Sequence, residues 1–162
     1  MRLVRGWSLL LLAVSLALVS ASPGFDAGSP EDTVARYLGA LKDGKFETAY
    51  DVVSKAMRGG KAKEAWAKEQ RALAAFADIK IFEFKVQPGK VEGATAKVPD
   101  VLSSQDRFIN QMGLTEYELY TLVREDGAWK VDAQLLVETP DLPKWFPALR
   151  KSPPGTDNAT PH

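Results

Sequence analysis

The sequence predicts an α+β fold in which three N-terminal helices pack on a curved antiparallel sheet of about four strands. Apolar residues recur at helical spacing as far as Phe76, and they alternate with polar residues after Asp78. The chain has 162 residues, of which 45% are hydrophobic and 26% charged, so it is long enough for one domain with its own core.

The N-terminus has the order of residues that is typical of a signal peptide. Two arginines precede a mostly apolar run of 13 residues, Trp7–Val19, and small residues follow up to Ala21. The run is shorter than the roughly 20 residues that span a bilayer, so an uncleaved anchor is the alternative. We expect a signal peptide over 1–21, a linker over 22–28 and an exported protein, periplasmic or secreted.

Composition excludes several classes of function. The chain has no cysteine, which excludes disulfides, cysteine-based metal sites and lipidation of an N-terminal cysteine. Basic and acidic residues balance at 21 each, unlike the basic surplus of nucleic-acid-binding proteins. The single histidine is His162, in a predicted tail, so histidine acid–base catalysis is not expected. We predict no catalytic set, no metal site and no cofactor.

Three helices are predicted before the sheet. Ser29 and Pro30 provide a cap and a first helical residue, and the apolar stripe of the first helix ends before Gly44. The second helix follows from Phe46, and the third covers Lys61 to Phe76. The apolar face predicted for the third helix comprises Ala62, Ala65, Trp66, Leu73 and Phe76.

The first strand shows a break in its alternation. Ile79 and Ile81 are in one phase, whereas Phe82, Phe84 and Val86 are in the other. A β-bulge would turn both sets to one face, and burial of the strand on both faces is the alternative.

Three further strands are predicted, the last two as a hairpin. The second strand runs from Ala94 to about Pro99, and Ser103 to Thr115 is expected to be a loop. Asp126-Gly127 has the composition of a two-residue hairpin turn. In the strand before this turn, Glu116 and Glu118 share a face and are expected to be solvated.

The C-terminal part contains a short aromatic segment and a polar end. Over 139–151, Leu142, Trp145, Phe146 and Leu149 have helical spacing, although prolines limit the helix to one or two turns. Such aromatics should dock on the core, or alternatively form a lid or a contact for a partner or an anionic membrane. Residues 152–162 are expected to be disordered.

The helix openings Thr33-Val34-Ala35-Arg36-Tyr37-Leu38 and Gly44-Lys45-Phe46-Glu47, with the hairpin around Asp126-Gly127, resemble those of nuclear-transport-factor-two-like domains, which have the cystatin-like cone fold. The sequence is similar to small exported bacterial members of unknown function described as putatively lumazine-binding. The resemblance covers the domain predicted over 29–138. It implies a cone-shaped domain with a pocket at its wide end.

The function predicted from these features is a non-catalytic extracytoplasmic binding or accessory domain. Its apolar pocket would accept a small apolar or aromatic ligand or a partner peptide. The alternatives are a dimerisation module that pairs through its sheet and, third, a pocket enzyme using a tyrosine with Asp51 or Asp132. Trp145 and Phe146 are the candidates for a lid or partner contact. The candidates to line the pocket are Trp66, Phe82, Phe84, Tyr117, Tyr120 and Trp129.

Overall fold

The computed structural model describes residues 28–151, so the predicted signal peptide and the predicted tail over 152–162 lie outside the described residues. Four helices precede the sheet: α1 (Pro30–Lys42), α2 (Phe46–Val52), α3 (Lys55–Arg58) and α4 (Lys63–Ala77). The strands are β1 (Lys80–Val86), β2 (Lys90–Glu92), β3 (Thr95–Gln105), β4 (Thr115–Glu125) and β5 (Ala128–Leu136). A 3₁₀ turn (Thr139–Asp141), α5 (Leu142–Trp145) and a second 3₁₀ turn (Pro147–Lys151) follow.

The α+β class and the antiparallel sheet are confirmed, but the number of elements differs from the prediction. Residues 28–151 contain five helices and five strands. The additional N-terminal helix is α3, a single turn capped by the Ser54 hydroxyl, which accepts a hydrogen bond from the Met57 amide at 3.0 Å. The additional strand is β2, whose three residues are too few to show alternation. Within the described part of the chain, no helix is long and apolar enough to cross a membrane.

The start of α1 is fixed by its own sequence. The Ser29 hydroxyl accepts a hydrogen bond from the Asp32 amide at 3.0 Å, and the Asp32 carboxylate accepts one from the Ser29 amide at 3.2 Å. This reciprocal capping box satisfies two amides that the helix leaves without partners. Val34, Tyr37 and Leu38 are buried as their spacing predicts.

Only Trp66 and Ala67 of α4 are buried in the core. Ala62 and Ala65 are exposed, and Leu73 and Phe76 are 53% and 66% exposed, contrary to the predicted apolar face. The predicted face was therefore wrong except at Trp66, because α4 packs mainly on the seven-residue α2. The last turns of α4 therefore present apolar side chains to the solvent.

The sheet has the order β1-β3-β4-β5, and β2 pairs with the same strand, β3, as β1 does. Asp126 and Gly127 both have positive φ, 51° and 80°, in the predicted two-residue turn between β4 and β5. Positive φ at both positions matches a type I′ turn, whose twist suits a hairpin. The predicted hairpin is confirmed.

The predicted β-bulge in β1 is confirmed, with Phe82 as its extra residue. The register against β3 shifts between Ile81 and Glu83. Ile81, Phe84 and Val86 therefore pack on the core, and Phe82 is left half exposed. Phe82 was wrongly grouped with the inward set because a bulge removes its own extra residue from the alternation.

Strand β3 does not end near Pro99 but continues to Gln105. Proline cannot donate a backbone hydrogen bond, so it is usually excluded from the middle of a sheet. Here β2 pairs with Thr95–Lys97 and β1 with Asp100–Gln105, so Pro99 lies in the gap between them. The missing N–H is not needed at that position.

The two faces of the sheet are covered differently. Cross-strand partners share a face, so Val98, Tyr120 and Leu122 lie on the side of α1 and form the main core. On the opposite side, the ring of Phe146 meets that of Tyr117 edge to face at 4.9 Å. The segment after β5 thus covers part of the outer face, which explains why β4 is buried on both faces.

Candidate functional site

Two acidic side chains are buried opposite each other inside the domain. Asp100 on β3 is the direct register partner of Glu118 on β4, and their exposed fractions are 0% and 3%. Both share the helix-facing side with the core residues Val98 and Tyr120. Burying a carboxyl group costs free energy unless it is hydrogen-bonded or neutralised. Packing of an apolar core does not require this pair.

The two carboxyl groups differ in their hydrogen bonds. The Tyr120 hydroxyl donates to Glu118 Oε2 at 2.6 Å, and Gln134 Nε2 donates to Glu118 Oε1 at 2.6 Å. Neither carboxyl oxygen of Asp100 has a hydrogen-bond partner among the described residues. Glu118 is therefore held in place by two neutral donors, whereas Asp100 is buried without one.

Burial shifts the acidity of both groups. Desolvation, followed by repulsion from Glu118, raises the pKa of Asp100 to about 7, although the nearby backbone amides of Lys85 and Val101 oppose this rise. Desolvation also raises the pKa of Glu118, against the lowering effect of the hydrogen bonds from Tyr120 and Gln134. Asp100 is therefore divided between its protonated and ionised forms near neutral pH.

Two buried tyrosines lie near this pair, and of these Tyr120 donates a hydrogen bond to Glu118. The rings of Tyr37 and Tyr120 meet edge to face with centroids 6.1 Å apart. Burial, and secondarily the charge of Glu118, raises the pKa of Tyr37 to about 12. The same two causes raise the pKa of Tyr120 well above its ordinary value. Neither hydroxyl ionises in the physiological range.

Glu118 reaches the wall of a cavity of about 330 Å³, which we call the acidic cavity. A volume of this size is at the lower end of the range of small-molecule sites. At its polar end, the Ser104 hydroxyl donates to Glu116 Oε2 at 2.5 Å. The acidic cavity is lined by Leu38, Leu41, Ala77, Ile79, Ile81, Leu102, Ser104, Gln105, Asp106, Phe108, Ile109, Glu116, Glu118 and Gln134.

A larger groove of about 560 Å³ adjoins the acidic cavity between α1, α4 and β1. The two share Leu41, Ile79 and Ile81 as a common wall. The basic side chains of the groove are Lys42, Arg71 and Lys80, so its charge differs from that of the acidic cavity.

The loop over 106–114 forms the rim of the acidic cavity and is fixed by hydrogen bonds. The Asp106 carboxylate accepts from the amides of Phe108 and Ile109 at 2.6 and 2.7 Å. The Asn110 side chain donates to the Leu114 carbonyl oxygen at 2.7 Å. Exposed apolar side chains of this loop, α4 and β1 make up what we call the apolar rim: Leu73, Phe76, Ile79, Phe82, Phe108, Ile109, Met112 and Leu114.

The six residues predicted to line one pocket are dispersed. Trp66, Tyr120 and Trp129 are buried in the core. Phe84 is partly buried against the core, and Phe82 belongs to the apolar rim. Tyr117 lines a separate groove of about 450 Å³ on the outer face of the sheet. Among these six, only Tyr120 touches the carboxyl pair, through Glu118.

Trp145 and Phe146 lie on the outer face rather than at the acidic cavity. Phe146 is 5% exposed, and Trp145 is partly buried with the Lys90 and Lys144 amino groups 5.0 and 5.2 Å from its ring centroid. Both line the groove of about 450 Å³ with Tyr117. Their docking matches the expectation that large aromatics in this segment do not remain in water.

The sequence analysis missed the buried acidic pair. Glu118 was wrongly expected to be solvated, although it stands two residues before Tyr120 and therefore shares its buried face. Asp100 was overlooked because the strand was expected to end near Pro99. The alternatives Asp51 and Asp132 are elsewhere: Asp51 is exposed and forms a salt bridge with Lys63, and Asp132 lies at a register shift between β4 and β5.

Comparison with known proteins shows the fold of this chain but does not assign the chain to a family. No family model matches the sequence, and the search of curated proteins found no match. A SEC-C motif containing protein from Rhodopseudomonas palustris is 17% identical, with 69% of this chain and 81% of that one covered at a TM-score of 0.52. This likeness shows a shared fold.

Two further solved structures match this chain less well. An NTF2-like protein of unknown function from Cytophaga hutchinsonii is 15% identical, with 69% of this chain and 93% of that one covered at a TM-score of 0.41. A protein from Shewanella frigidimarina, named as a putative ketosteroid isomerase, is 16% identical, with 69% of this chain and 98% of that one covered at a TM-score of 0.49.

Proposed function

We propose that this chain is a non-catalytic, extracytoplasmic binding domain of the nuclear-transport-factor-two-like type that takes a small apolar ligand in the acidic cavity. The observation that supports this most is the cavity itself. About 330 Å³ of space is walled mainly by apolar side chains and ends at the hydrogen-bonded Glu118. Binding sites of small molecules have this composition, with apolar walls and few polar groups that fix orientation.

The apolar rim supports the same proposal. Ile109 and Met112 are 83% and 84% exposed, and the rings of Phe76 and Phe108 stack with centroids 5.3 Å apart. A contiguous exposed apolar surface on a small domain usually marks a site of interaction. Ile79, Phe108 and Ile109 of the apolar rim also line the acidic cavity, so a ligand that enters would cover part of the rim.

The extracytoplasmic location and the cone-shaped fold belong to this proposal. The location rests on the basic, apolar and small residues before Ala21. The cone is supported by the bulge at Phe82, because a bulge bends its strand. The lumazine-binding description of similar exported proteins suggests two-ring aromatic compounds as the first ligands to test.

The proposal is tested by adding neutral two-ring aromatic alcohols to the mature protein and following amide shifts by NMR. We expect shifts to concentrate on β1, the end of α4 and 106–114. Ile79→Trp fills the common wall of both cavities and should abolish the shifts. Val91→Trp, which places the same ring on the exposed strand β2, is the control and should leave them unchanged. Amide shifts that persist unchanged in the Ile79→Trp variant would refute this site.

The sheet-pairing alternative is less well supported. The outer face of the sheet, on which two such domains would pair, is partly covered by Phe146 and its neighbours. Pairing through that face would require the segment over 139–149 to move. A monomer in sedimentation experiments at tens of micromolar would remove this alternative.

A pocket enzyme, the third hypothesis from the sequence, is favoured by one observation. The pKa of Asp100 is raised to about 7 beside a second carboxyl and two tyrosines, and general acid–base catalysis needs a group of such acidity. Asp100 does not itself line the acidic cavity, and its cross-strand partner Glu118 is the member of the pair that does. The test is hydrogen–deuterium exchange into an enolisable two-ring ketone. If Asp100→Asn abolishes the exchange, catalysis is supported. If the wild-type protein gives no more exchange than buffer does, only the binding function is supported.

A further inference from the structure

We infer that the ligand of the acidic cavity is a protonated organic amine, with its apolar body against the hydrophobic walls and its ammonium group at Glu118 and Glu116. This inference rests on the proposed function, because it assigns a chemical class to a ligand of the same site.

The ionisable side chains that line the acidic cavity are all acidic. Its ionisable side chains are Asp106, Glu116 and Glu118, and the lining contains no lysine or arginine. A cavity of negative sign with low-dielectric walls attracts cations more strongly than the same charges would in water. An anionic ligand would be repelled, and a neutral one would make no use of the charge.

The hydrogen-bonding capacity at the polar end also matches an ammonium group. Ser104 uses its only hydroxyl proton on Glu116 Oε2, Tyr120 uses its own on Glu118 Oε2, and Gln134 donates one of its two amide protons to Glu118 Oε1. The two carboxylates have further lone pairs that can accept. An ammonium group has donors and no acceptor, so it complements the accepting capacity of Glu116 and Glu118.

Asp100 provides an observation independent of the lining. Asp100 does not line the acidic cavity itself, but it lies directly across the strands from Glu118, which does. Its carboxyl group is fully buried and accepts no hydrogen bond of good geometry among the described residues, although the backbone amides of Lys85 and Val101 are near enough to lower its pKa. A native protein rarely keeps such a group without a compensating role. A cation bound at Glu118 would offset the repulsion between the two carboxylates, which gives the unpartnered acid a purpose in the liganded state.

The cations of the adjoining groove do not neutralise the acidic cavity. The Lys42 amino group donates to the Phe82 carbonyl oxygen at 2.6 Å, and Lys80 forms a salt bridge with Asp78 at 3.0 Å. Arg71 forms one with Glu47 at 2.9 Å. Each is engaged on the groove side of the common wall.

The test compares three naphthalene probes that differ only in their head group: the methylammonium, the methanol and the carboxylate. Titration calorimetry on the mature protein at neutral pH should show the ammonium probe binding about tenfold more tightly than the alcohol, the effect of one charged hydrogen bond. The carboxylate should bind weakest. Glu118→Gln should remove the tenfold advantage of the ammonium probe over the alcohol.

The controls separate this inference from the proposed function. Glu92→Gln removes the same charge from the exposed strand β2 and should change nothing. If Glu118→Gln does not fold, Glu116→Gln at the same polar end decides the outcome. Equal affinity for the ammonium and the alcohol would overturn the inference while the binding function stood. Absence of binding by all three probes would overturn both.

Discussion

Asp100 and Glu118 are direct cross-strand partners on the helix-facing side of the sheet, so two carboxyl groups share one buried patch. Like charges placed directly opposite on neighbouring strands destabilise a sheet. The domain tolerates them because burial raises the pKa of both groups and Asp100 retains a proton up to about pH 7.

The stability of the protein should therefore fall as the pH rises from about 4 to 8. In this window the folded state holds a proton on Asp100 that the unfolded state, with a pKa of 3.8, has already released. The folded state binds more protons, so raising the pH favours unfolding. The rise of the pKa from 3.8 to about 7 sets an upper bound of about 4 kcal/mol on this effect.

Asp100→Asn should flatten this profile, with little change at pH 4 and a clear gain in the free energy of unfolding at pH 8. Urea unfolding at both pH values measures the difference. Glu92→Gln, at an exposed position, should leave the profile unaltered. A wild-type protein that is more stable at pH 8 than at pH 5 would contradict the prediction.

Tyr120→Phe should destabilise the domain by about 1–3 kcal/mol because it leaves Glu118 with one hydrogen bond fewer in a buried site. The loss should be larger above the pKa of Glu118 than below it, since the ionised carboxylate needs the donor more. Tyr117→Phe is the matched control, because the Tyr117 hydroxyl forms no hydrogen bond with the described residues. Equal losses in thermal denaturation for the two variants would assign the effect to packing.

Trp129→Ala should lower the free energy of unfolding by about 3–5 kcal/mol, the range for a large aromatic in a core. Trp129 is 6% exposed and belongs to the main core cluster. An unchanged melting temperature would show that the indole is not packed as the structure has it.

Phe146→Ala should cost about 2 kcal/mol, because the ring is buried against Tyr117 on the outer face. Leu149→Ala, at a position that is 41% exposed in the same segment, should cost much less. Deletion of residues 139–162 should lower stability while the sheet and the acidic cavity persist. Complete unfolding of the truncated protein would instead make the segment an indispensable part of the core.

Local patterns predicted the elements, and pairing across the sheet determined the site. The cap at Ser29, the bulge at Phe82 and the turn at Asp126 each depend on a few adjacent residues, so the sequence indicates them. The opposition of Asp100 and Glu118, 18 positions apart in the sequence, depends on the register of β3 against β4, which no local pattern specifies. The exposure of Phe76 likewise depends on the length of α2, against which α4 packs.

The gap at Pro99 separates the pairing of β2 from that of β1 along one edge of the sheet. The Pro99 carbonyl oxygen accepts a hydrogen bond at 2.8 Å from the amide of Gln87, directly after β1, whereas β2 is held by three register pairs and all of its residues are exposed. The turn of β2 can therefore open and close without loosening the strand that bounds the acidic cavity. In hydrogen-exchange experiments, the β2 amides should exchange faster, through local opening. The β1 amides should exchange only through larger unfolding events.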